Sequence, residues 1–468
     1  MDNRPNVPYR LPPMPALSDP PISPVSPILP VPSLRRALGS LFGLAIAVGA
    51  TIGGGILATP GDVAAALPDP LLYLLAWLLG AASALLGANI LSELGAMLPH
   101  SGGFYVYARR AFGEGAGLFI GYADWVNWCI GPPALLLLAG EYLGVLFTPL
   151  AGHAALVGLA LLGILAFFQW LGVRSGARTQ EITSLMKAVA LLVLVGAAFT
   201  MPHAEPAAVA KAAIPSGWAL LLAFGVAMQG VIFTYDSYFT VLYCGGEITD
   251  PGRTIPQSMF RGLGLVIVIY FLLHAAFLAV LPIQNMAHDS FVGGTVARLI
   301  FGAHGDTVIR LIMIVSVLGT VNAQIMAAPR IILAMGEDGL FPRLATRVNK
   351  GGTPSTALAL SLVVMVGFFL LGSFSAVVAV DIILVVLLYV VAFSALFVLR
   401  RKDPDAPRPF RAWGYPWLPG LGLLVAVALL IGMILADHFS ALMVGGLLVM
   451  SLVGVKLVGR TGRREDGK

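Results

Sequence analysis

The sequence predicts an all-α integral membrane protein with about twelve transmembrane helices, and three observations lead to that prediction. Of its 468 residues, 58% are apolar and 11% are charged, whereas an ordinary soluble domain has about 25% charged residues. The mean hydropathy is +0.90. The apolar runs are long and continuous, which is typical of membrane helices and excludes the short alternating segments of an outer-membrane barrel.

The twelve expected spans leave room for short loops and two tails only. They fall at about 40–66, 70–98, 115–147, 153–171, 182–201, 217–245, 258–282, 307–333, 355–371, 375–399, 416–436 and 439–457. We expect one transporter domain over 35–458, with five spans in a first repeat (40–201), five in a second (217–399) and two extra helices (416–457).

The two ends of the chain are predicted to be cytoplasmic tails. Residues 1–34 hold 11 of the 32 prolines, which is typical of a disordered, proline-rich segment. This segment has no apolar core after a basic start, so it is not a signal peptide. Residues 459–468 form the second, shorter tail.

The basic residues predict the orientation. With the amino terminus in the cytoplasm, 24 of the 28 Lys and Arg residues fall in cytoplasmic segments, which satisfies the positive-inside rule. The net charge of +5 therefore reflects membrane topology, and no nucleic-acid partner is expected. We expect a multi-pass protein of the bacterial inner (plasma) membrane with both termini in the cytoplasm. The two cysteines and the scattered histidines predict no metal site, and no cofactor is expected.

The first span contains three consecutive glycines, Gly53, Gly54 and Gly55. Each costs up to ~1 kcal/mol of helix propensity relative to alanine. Close helix packing explains small residues, but a run of three favours unwound backbone, which is tolerated at membrane depth only beside a cavity or inside protein. A substrate site is the preferred interpretation.

The sixth span contains the polar stretch Phe233–Phe239, with Asp236 at its centre. A carboxylate at the bilayer centre costs roughly 2.5 to 3.5 kcal/mol on insertion scales, so Asp236 should face the bundle interior and have a partner. Neighbouring hydroxyl groups could satisfy it in a purely structural role.

Interrupted first and sixth helices, each opening a group of five spans, fit the inverted-repeat plan of secondary transporters. In that plan the amino termini of half-helices face anionic groups, and unwound carbonyls face cations. A zwitterion such as an amino acid suits both ends.

Five motifs follow one another along the chain: Ile52–Ile56, Ser92–Gly95 with Pro99–Tyr107, Glu247–Pro256, Arg330–Pro342 and Pro407–Pro416. With these motifs the chain resembles the amino acid–polyamine–organocation superfamily of permeases, nearest to the L-type and bacterial amino-acid permeases with the LeuT-like fold. The resemblance implies a transporter, not an enzyme. It also implies an all-α fold with a 5+5 inverted repeat and two carboxyl-terminal helices.

The resemblance implies roles for residues at both breaks. The N–H groups of Gly54 and Gly55 would bind the substrate carboxylate, and the Thr51 carbonyl, with carbonyls near Phe233 and Asp236, would hold the ammonium. Phe233 would be an aromatic lid. The substrate-binding set is completed by Gly53, Tyr235 and Ser237. Gly54 stands where the family often has Ser, so a hydroxyl contact to the substrate carboxylate is missing here. Asp236 stands where the family usually has an uncharged residue, which counts against a neutral amino-acid substrate.

Lys187 is the basic residue predicted to lie within a span, the fifth. It could extend to the cytoplasmic surface. Sodium-independent members of the family place a lysine here, where sodium-dependent relatives hold a cation. The resemblance thus implies an ammonium near the carbonyls of Gly49 and Ile52 and near Ser316 or Thr320. Transport would then be sodium-independent, and driven by protons or by exchange.

Alternative functions stay open. One is a polyamine or organic-cation permease, and another is a non-transporting membrane sensor with the same fold. Eukaryotic L-type relatives bind a glycoprotein through a cysteine after the third span, but residues 148–153 contain none. No disulfide-linked glycoprotein subunit is therefore expected. The expected partners are an amino acid or amine substrate and the lipid bilayer.

Overall fold

The computed structural model describes residues 36–202, 210, 212–287, 289, 291–371, 374–436, 438 and 442–446. The predicted tails at 1–34 and 459–468 lie outside the described residues. The predicted last span, 439–457, does so too, apart from a helical stretch at 442–446.

The described chain is helical and has no β-strand within those residues, which confirms the predicted all-α fold. Its α-helices are α1 (Ser40–Thr51), α2 (Gly55–Ala66), α3 (Pro70–Met97), α4 (Phe104–Phe112), α5 (Glu114–Leu146), α6 (Ala154–Leu171), α7 (Val173–Thr200), α8 (Trp218–Tyr235), α9 (Pro251–Val280), α10 (Ile283–Met286), α11 (Val292–Phe301), α12 (Gly305–Glu337), α13 (Ser355–Leu371), α14 (Phe374–Lys402) and α15 (Trp417–Ala436).

Nine stretches of the described residues are long and apolar enough to cross a membrane. Three of the twelve predicted spans are not among them. The first is divided into α1 and α2, the ninth is the 17-residue α13, and the twelfth lies largely outside the described residues. The protein is an integral, multi-pass membrane protein.

The first span breaks where the glycines predict it. The backbone of Ile52 leaves the helical path, with φ −72° and ψ 87°, and α2 begins three residues later at Gly55. The first N–H groups of a helix have no partner within that helix. The break therefore presents the amino terminus of α2 near the middle of the span.

The sixth span also breaks, and its predicted helical range of 217–245 is wrong at its carboxyl end. Helix α8 ends at Tyr235, after which Asp236 is extended and Ser237 has a φ of +69°. The chain continues through two short 3-10 turns, Thr240–Tyr243 and Gly245–Glu247. A non-glycine residue with positive φ does not continue a right-handed helix, so the polar stretch ends α8.

Several other helices are longer than their predicted spans. Helix α7 begins at Val173 instead of 182, α9 begins at Pro251 instead of 258, and α14 ends at Lys402 instead of 399. Hydropathy detects only the apolar part of a helix, whereas backbone hydrogen bonding continues into the polar residues beyond it. Helix α4 was not predicted because it is only nine residues long.

The broken helices lie in the centre of the bundle. Helix α1 packs against α7, α9 and α12, and α2 packs against α8. The approach of α1 to α9 is close, since a Cβ atom on Gly262 would lie 2.6 Å from the Cβ of Ala47. These contacts bring both breaks to the same depth in the protein.

We call the side at which α1 begins the first face and the side at which α2 ends the second face. Towards the first face, Arg330 on α12 forms a buried ion pair with Glu247, with Nε–Oε1 and Nη2–Oε2 distances of 2.5 and 2.9 Å. The Tyr243 hydroxyl donates to buried Asp124 on α5 at 2.8 Å. The chain after the sixth break is thereby fixed to α5 and α12.

Candidate functional site

A cavity of about 920 Å³ lies beside the two helix breaks. Besides the breaks, its wall is formed by α2, α5, α8, α12, α14 and Phe291. The cavity extends along α2 towards the second face, where Ala66 and Tyr142 line it. Seven of the eight predicted substrate-binding residues line it: Thr51, Gly53, Gly54, Gly55, Phe233, Asp236 and Ser237.

The glycine backbone at the first break is accessible from this cavity. Gly53, Gly54 and Gly55 are half-buried. A Cβ atom on Gly55 would lie 3.1 Å from Thr234 Oγ1, and one on Gly54 would lie 3.2 Å from the end of Met313. An anion can therefore approach the amino terminus of α2, whose N–H groups and dipole favour negative charge.

Tyr235, the eighth predicted residue, does not line this cavity. Its ring packs against those of Trp77 on α3 and Tyr270 on α9, at centroid distances of 6.1 and 5.1 Å. The side chain is buried, and its hydroxyl has no hydrogen-bond partner among the described residues. The structure places Tyr235 in the packing between helices.

The two breaks are joined by a residue that the sequence analysis missed. The hydroxyl of Tyr270 lies 3.0 Å from the carbonyl oxygen of Thr51 and 3.1 Å from that of Thr234. A second contact joins Thr59 on α2 to Thr234, with 3.1 Å between their hydroxyl oxygens. The carboxyl ends of α1 and α8 are thus held at a common point. No motif in the sequence indicated this bridge.

Phe233 and Asp236 lie on the wall formed by the sixth break. The ring of Phe233 is 38% exposed and borders the cavity. One carboxylate oxygen of Asp236 accepts a hydrogen bond from the Tyr389 hydroxyl at 2.5 Å, and the other accepts from Ser237 Oγ at 3.0 Å. Hydroxyl groups therefore satisfy Asp236 in part, while its carboxylate still borders the cavity.

Lys187 on α7 is fully buried and does not extend to the membrane surface. Its ammonium nitrogen donates to the carbonyl oxygens of Gly49 and Ile52 on α1, at 2.6 and 2.7 Å. On α12 it contacts the carbonyl oxygen of Ser316 at 2.9 Å and Thr320 Oγ1 at 3.3 Å. All four predicted ion-coupling partners of Lys187 are thus within hydrogen-bond distance.

A chain of uncharged polar side chains continues from Lys187 along α7. Ser184 Oγ donates to the Ala45 carbonyl of α1 at 2.8 Å, and Gln180 accepts from Asn322 of α12 at 2.8 Å. Gln169 of α6 donates to Asn322 at 2.9 Å. Gln180, Ser184 and Lys187 are spaced four and three residues apart, so they share one face of α7. That spacing was a signal for this network in the sequence.

The sequence analysis also missed Asp381, a second carboxylate on the cavity wall. It lies near the start of α14, and its Oδ1 accepts a hydrogen bond from Asn127 Nδ2 of α5 at 2.7 Å. The available signal was the one used for Asp236, an acidic residue within an apolar run. Within the described residues, no group of three His, Cys, Asp or Glu side chains is arranged to hold a metal ion.

Comparison with known proteins agrees with this architecture. The profile of the family described as "Amino acid permease" matches residues 39–451. The serine/threonine exchanger SteT of Bacillus subtilis (strain 168) is 27% identical over 415 residues, covering 87% of this chain and 93% of that protein. An uncharacterized transporter of Mycobacterium tuberculosis is 30% identical over 316 residues, covering 68% of this chain and 69% of that protein.

A mammalian protein is similar over most of its length as well. The b(0,+)-type amino acid transporter 1 of Mus musculus is 25% identical over 416 residues, which cover 86% of this chain and 84% of the mouse protein. The family profile covers well over half of the chain and includes both helix breaks and Lys187. The chain therefore belongs to the amino acid permease family, whose members are transporters and not enzymes.

Proposed function

We propose that this amino-acid transporter is a sodium-independent secondary carrier of amino acids or related amines, driven by protons or by exchange. The observation that carries the proposal is the position of the Lys187 ammonium, which donates to the Gly49 and Ile52 carbonyls beside the first break. A positive charge on the protein occupies backbone acceptors that would otherwise be available to a metal cation.

The substrate is proposed to bind across the two breaks. Its carboxylate would accept hydrogen bonds from the N–H groups of Gly54 and Gly55, because the amino terminus of α2 favours an anion. Its ammonium would donate to the Thr51 carbonyl and to carbonyls near Phe233 and Asp236. Gly53 and Ser237 complete the contact region, and Phe233 would cover the bound molecule. Tyr235 packs behind this site and does not contact the substrate.

Access is proposed to alternate between the two faces. The cavity extends to the second face, while the Glu247–Arg330 ion pair and the Tyr243–Asp124 hydrogen bond lie towards the first. Both contacts join the chain after the sixth break to other helices. Separating them would open a path to the first face, as expected when a helix group containing both breaks moves relative to the others.

The coupling role of Lys187 rests on its burial. An ammonium removed from water is less stable in its charged form, and it is kept charged by the carbonyls that surround it. Ser316 and Thr320 belong to α12, whereas Gly49 and Ile52 belong to α1. A proton lost from Lys187 would weaken a link between two helices, which is a means of coupling protonation to movement.

Uptake into proteoliposomes tests the function. Radiolabelled serine, leucine and lysine should accumulate or exchange at the same rate whether the external cation is sodium, potassium or choline. A strict requirement for sodium would disprove sodium independence. Absence of uptake and exchange for every amino acid tried would disprove transport and would favour a sensor with the same fold.

A polyamine or organic-cation permease is the second candidate. Three aspartates, Asp62, Asp236 and Asp381, border the cavity, and no Lys or Arg is among the described residues that line it. Such a wall attracts positive charge. Inhibition of uptake by cadaverine, which has two amines and no carboxylate, separates the candidates. An amino-acid carrier needs the carboxylate for binding at Gly54 and Gly55, so cadaverine should inhibit only a polyamine or organic-cation permease.

We further propose that the transporter lies in the bacterial inner (plasma) membrane with both termini cytoplasmic, and that it works without a disulfide-linked subunit. The proposed orientation rests on the distribution of basic residues. The proposal on subunits rests on the two cysteines, Cys129 and Cys244, which are both buried with free thiols. Burial of both thiols supports this proposal, because a disulfide to another chain needs an accessible thiol.

A further inference from the structure

The part of the cavity wall formed by α5, α12 and α14 carries acceptors for a second positive group. Asp381 of α14 and Gln324 of α12 both border the cavity there. Neither residue contributes to the site proposed for the substrate carboxylate and ammonium. Their surroundings indicate what they could bind.

Asp381 is held in place by α5. Asn127 Nδ2 donates to the Asp381 carboxylate at 2.7 Å and to its main-chain carbonyl at 3.2 Å. Among the described residues, Asn127 is the side chain that donates a hydrogen bond to the carboxylate, and it donates to Oδ1. Asn127 is an uncharged partner, so it orients the carboxylate without neutralising it.

Gln324 lies against the same face of α5. A Cβ atom on Gly131 would lie 2.7 Å from Gln324 Nε2, so the glycine makes room for the amide. Gly131 follows Asn127 by four residues, which places both on one face of the helix. The Oε1 atom of Gln324 is buried and accepts no hydrogen bond from the described residues. A buried acceptor without a donor costs about 1 to 3 kcal/mol.

The charge of this region is also unbalanced. Asp381 and Asp236 both border the cavity, and its described lining contains no basic side chain. Carboxylates at membrane depth are costly unless a cation accompanies them. A ligand with a cationic N–H donor would supply both the missing charge and the donor that Gln324 lacks.

We infer that Asp381 and Gln324 form a specificity subsite for the side-chain amine of a diamino acid such as lysine or ornithine. Asn127 and Gly131 are positioning residues for this subsite. The inference rests on the proposed function, because the α-carboxylate and α-ammonium must occupy the helix breaks. The volume of about 920 Å³ leaves space for the side chain to extend from there to α5.

L-Lysine and L-norleucine provide the test, because they have side chains of similar length and differ in the terminal amine. The experiment measures the inhibition constant of each against amino-acid uptake in proteoliposomes. We expect the wild-type protein to bind lysine more tightly than norleucine. Asp381→Asn should weaken lysine by about 10- to 100-fold and change norleucine by less than about twofold, because charge-assisted hydrogen bonds are lost only for lysine. Gln324→Leu should give a smaller loss in the same direction.

Asp62→Asn is the matched control. Asp62 borders the same cavity on α2, seven residues beyond Gly55 and roughly 10 Å along the helix from the first break. Loss of its charge should change lysine and norleucine by similar factors. A selective loss of lysine in Asp62→Asn, equal to that in Asp381→Asn, would overturn the assignment of the subsite to α5, α12 and α14.

Failure of the subsite and failure of the proposed function give different results. Equal weakening of lysine and norleucine by Asp381→Asn, or a wild-type protein that binds norleucine as tightly as lysine, would overturn the subsite and leave the proposed function intact. A wild-type protein that binds neither lysine nor norleucine would overturn the subsite, whereas absence of uptake and exchange for every amino acid tried would overturn the proposed function as well. If Asp381→Asn fails to fold, Gln324→Leu decides, since retained norleucine binding reports an intact site.

Discussion

The ammonium nitrogen of Lys187 lies 2.6 Å from the carbonyl oxygen of Gly49 and 2.7 Å from that of Ile52, at the point where α1 ends. Both carbonyls are near the end of a helix, where intrahelical donors run out. A buried lysine thus completes the hydrogen bonding of a broken helix and contacts α12 at the same time.

The first prediction concerns this lysine. Lys187→Ala should lower the transport rate by about 10- to 100-fold, because each carbonyl left without a donor costs about 1 to 3 kcal/mol. Lys187→Arg should fail as well, since a guanidinium is larger, planar and effectively never deprotonated. Initial rates of uptake in proteoliposomes measure both effects. Lys350→Ala, at an exposed lysine, is the control, and wild-type rates in Lys187→Ala would contradict the coupling role.

The second prediction concerns the glycine break. Gly55→Val should abolish substrate binding, because even the Cβ atom would lie 3.1 Å from Thr234 Oγ1 and the branches would cover the N–H groups at the start of α2. Gly54→Ala should weaken binding less, because its neighbour is the flexible end of Met313. Substrate-induced thermal stabilisation measures binding in both. Gly264→Ala on α9, where no atom lies within 4 Å of the added carbon, should bind normally. Unchanged affinity in Gly55→Val would move the carboxylate site elsewhere.

The third prediction concerns Phe233. Phe233→Ala should weaken amino-acid binding by about 3- to 30-fold, because an aromatic contact to the substrate is lost. Phe233→Tyr keeps the ring and should restore most of the affinity. Equilibrium binding of radiolabelled substrate measures the difference. Phe168→Ala removes a comparably exposed ring on α6, and an equal effect there would indicate that Phe233 only packs.

The fourth prediction concerns Asp236. If its carboxylate recognises substrate, Asp236→Asn should lose cationic substrates and keep neutral ones. If it carries a proton, the same variant should bind all substrates but no longer accumulate them against a pH gradient. Tyr389→Phe removes one hydroxyl donor from the carboxylate. It should change the preference for cationic substrates in the first case, or the accumulation against a pH gradient in the second, by a smaller factor than Asp236→Asn. An unchanged substrate range and pH profile in Asp236→Asn would leave a structural role.

The fifth prediction concerns the buried ion pair towards the first face. Glu247→Gln should lower the free energy of unfolding by about 3 to 5 kcal/mol, because the Arg330 charge would remain buried without its partner. Thermal unfolding in detergent measures this loss. Asp306→Asn breaks the more exposed pair with Arg310 and should cost about 1 kcal/mol or less. Equal effects in the two variants would contradict the difference in burial.

Local chemistry explains why much of the architecture was predictable. A continuous apolar run long enough to cross a bilayer has few alternatives to a helix, so the fold class follows from hydropathy. The two breaks were also predictable, because three glycines and the polar stretch around Asp236 oppose helix formation where they stand. The end of α8 at Tyr235 was missed, since hydropathy continues beyond the last helical residue.

The orientation of side chains within the bundle was decided by tertiary structure. Phe233 and Tyr235 are two residues apart on α8, and packing against α3 and α9 turns one ring to the cavity and the other to Trp77. The predicted span placed Lys187 only five residues from its start, whereas α7 begins at Val173. The depth and the direction of the Lys187 side chain both depend on how α7 lies against α1 and α12. The pairing of Asp381 with Asn127 joins residues 254 positions apart.

The sequence by itself determined which segments cross the membrane and where two of them break, because those properties depend on neighbours along the chain. Only the tertiary structure decided which polar groups meet, because those contacts depend on how the helices rotate and pack.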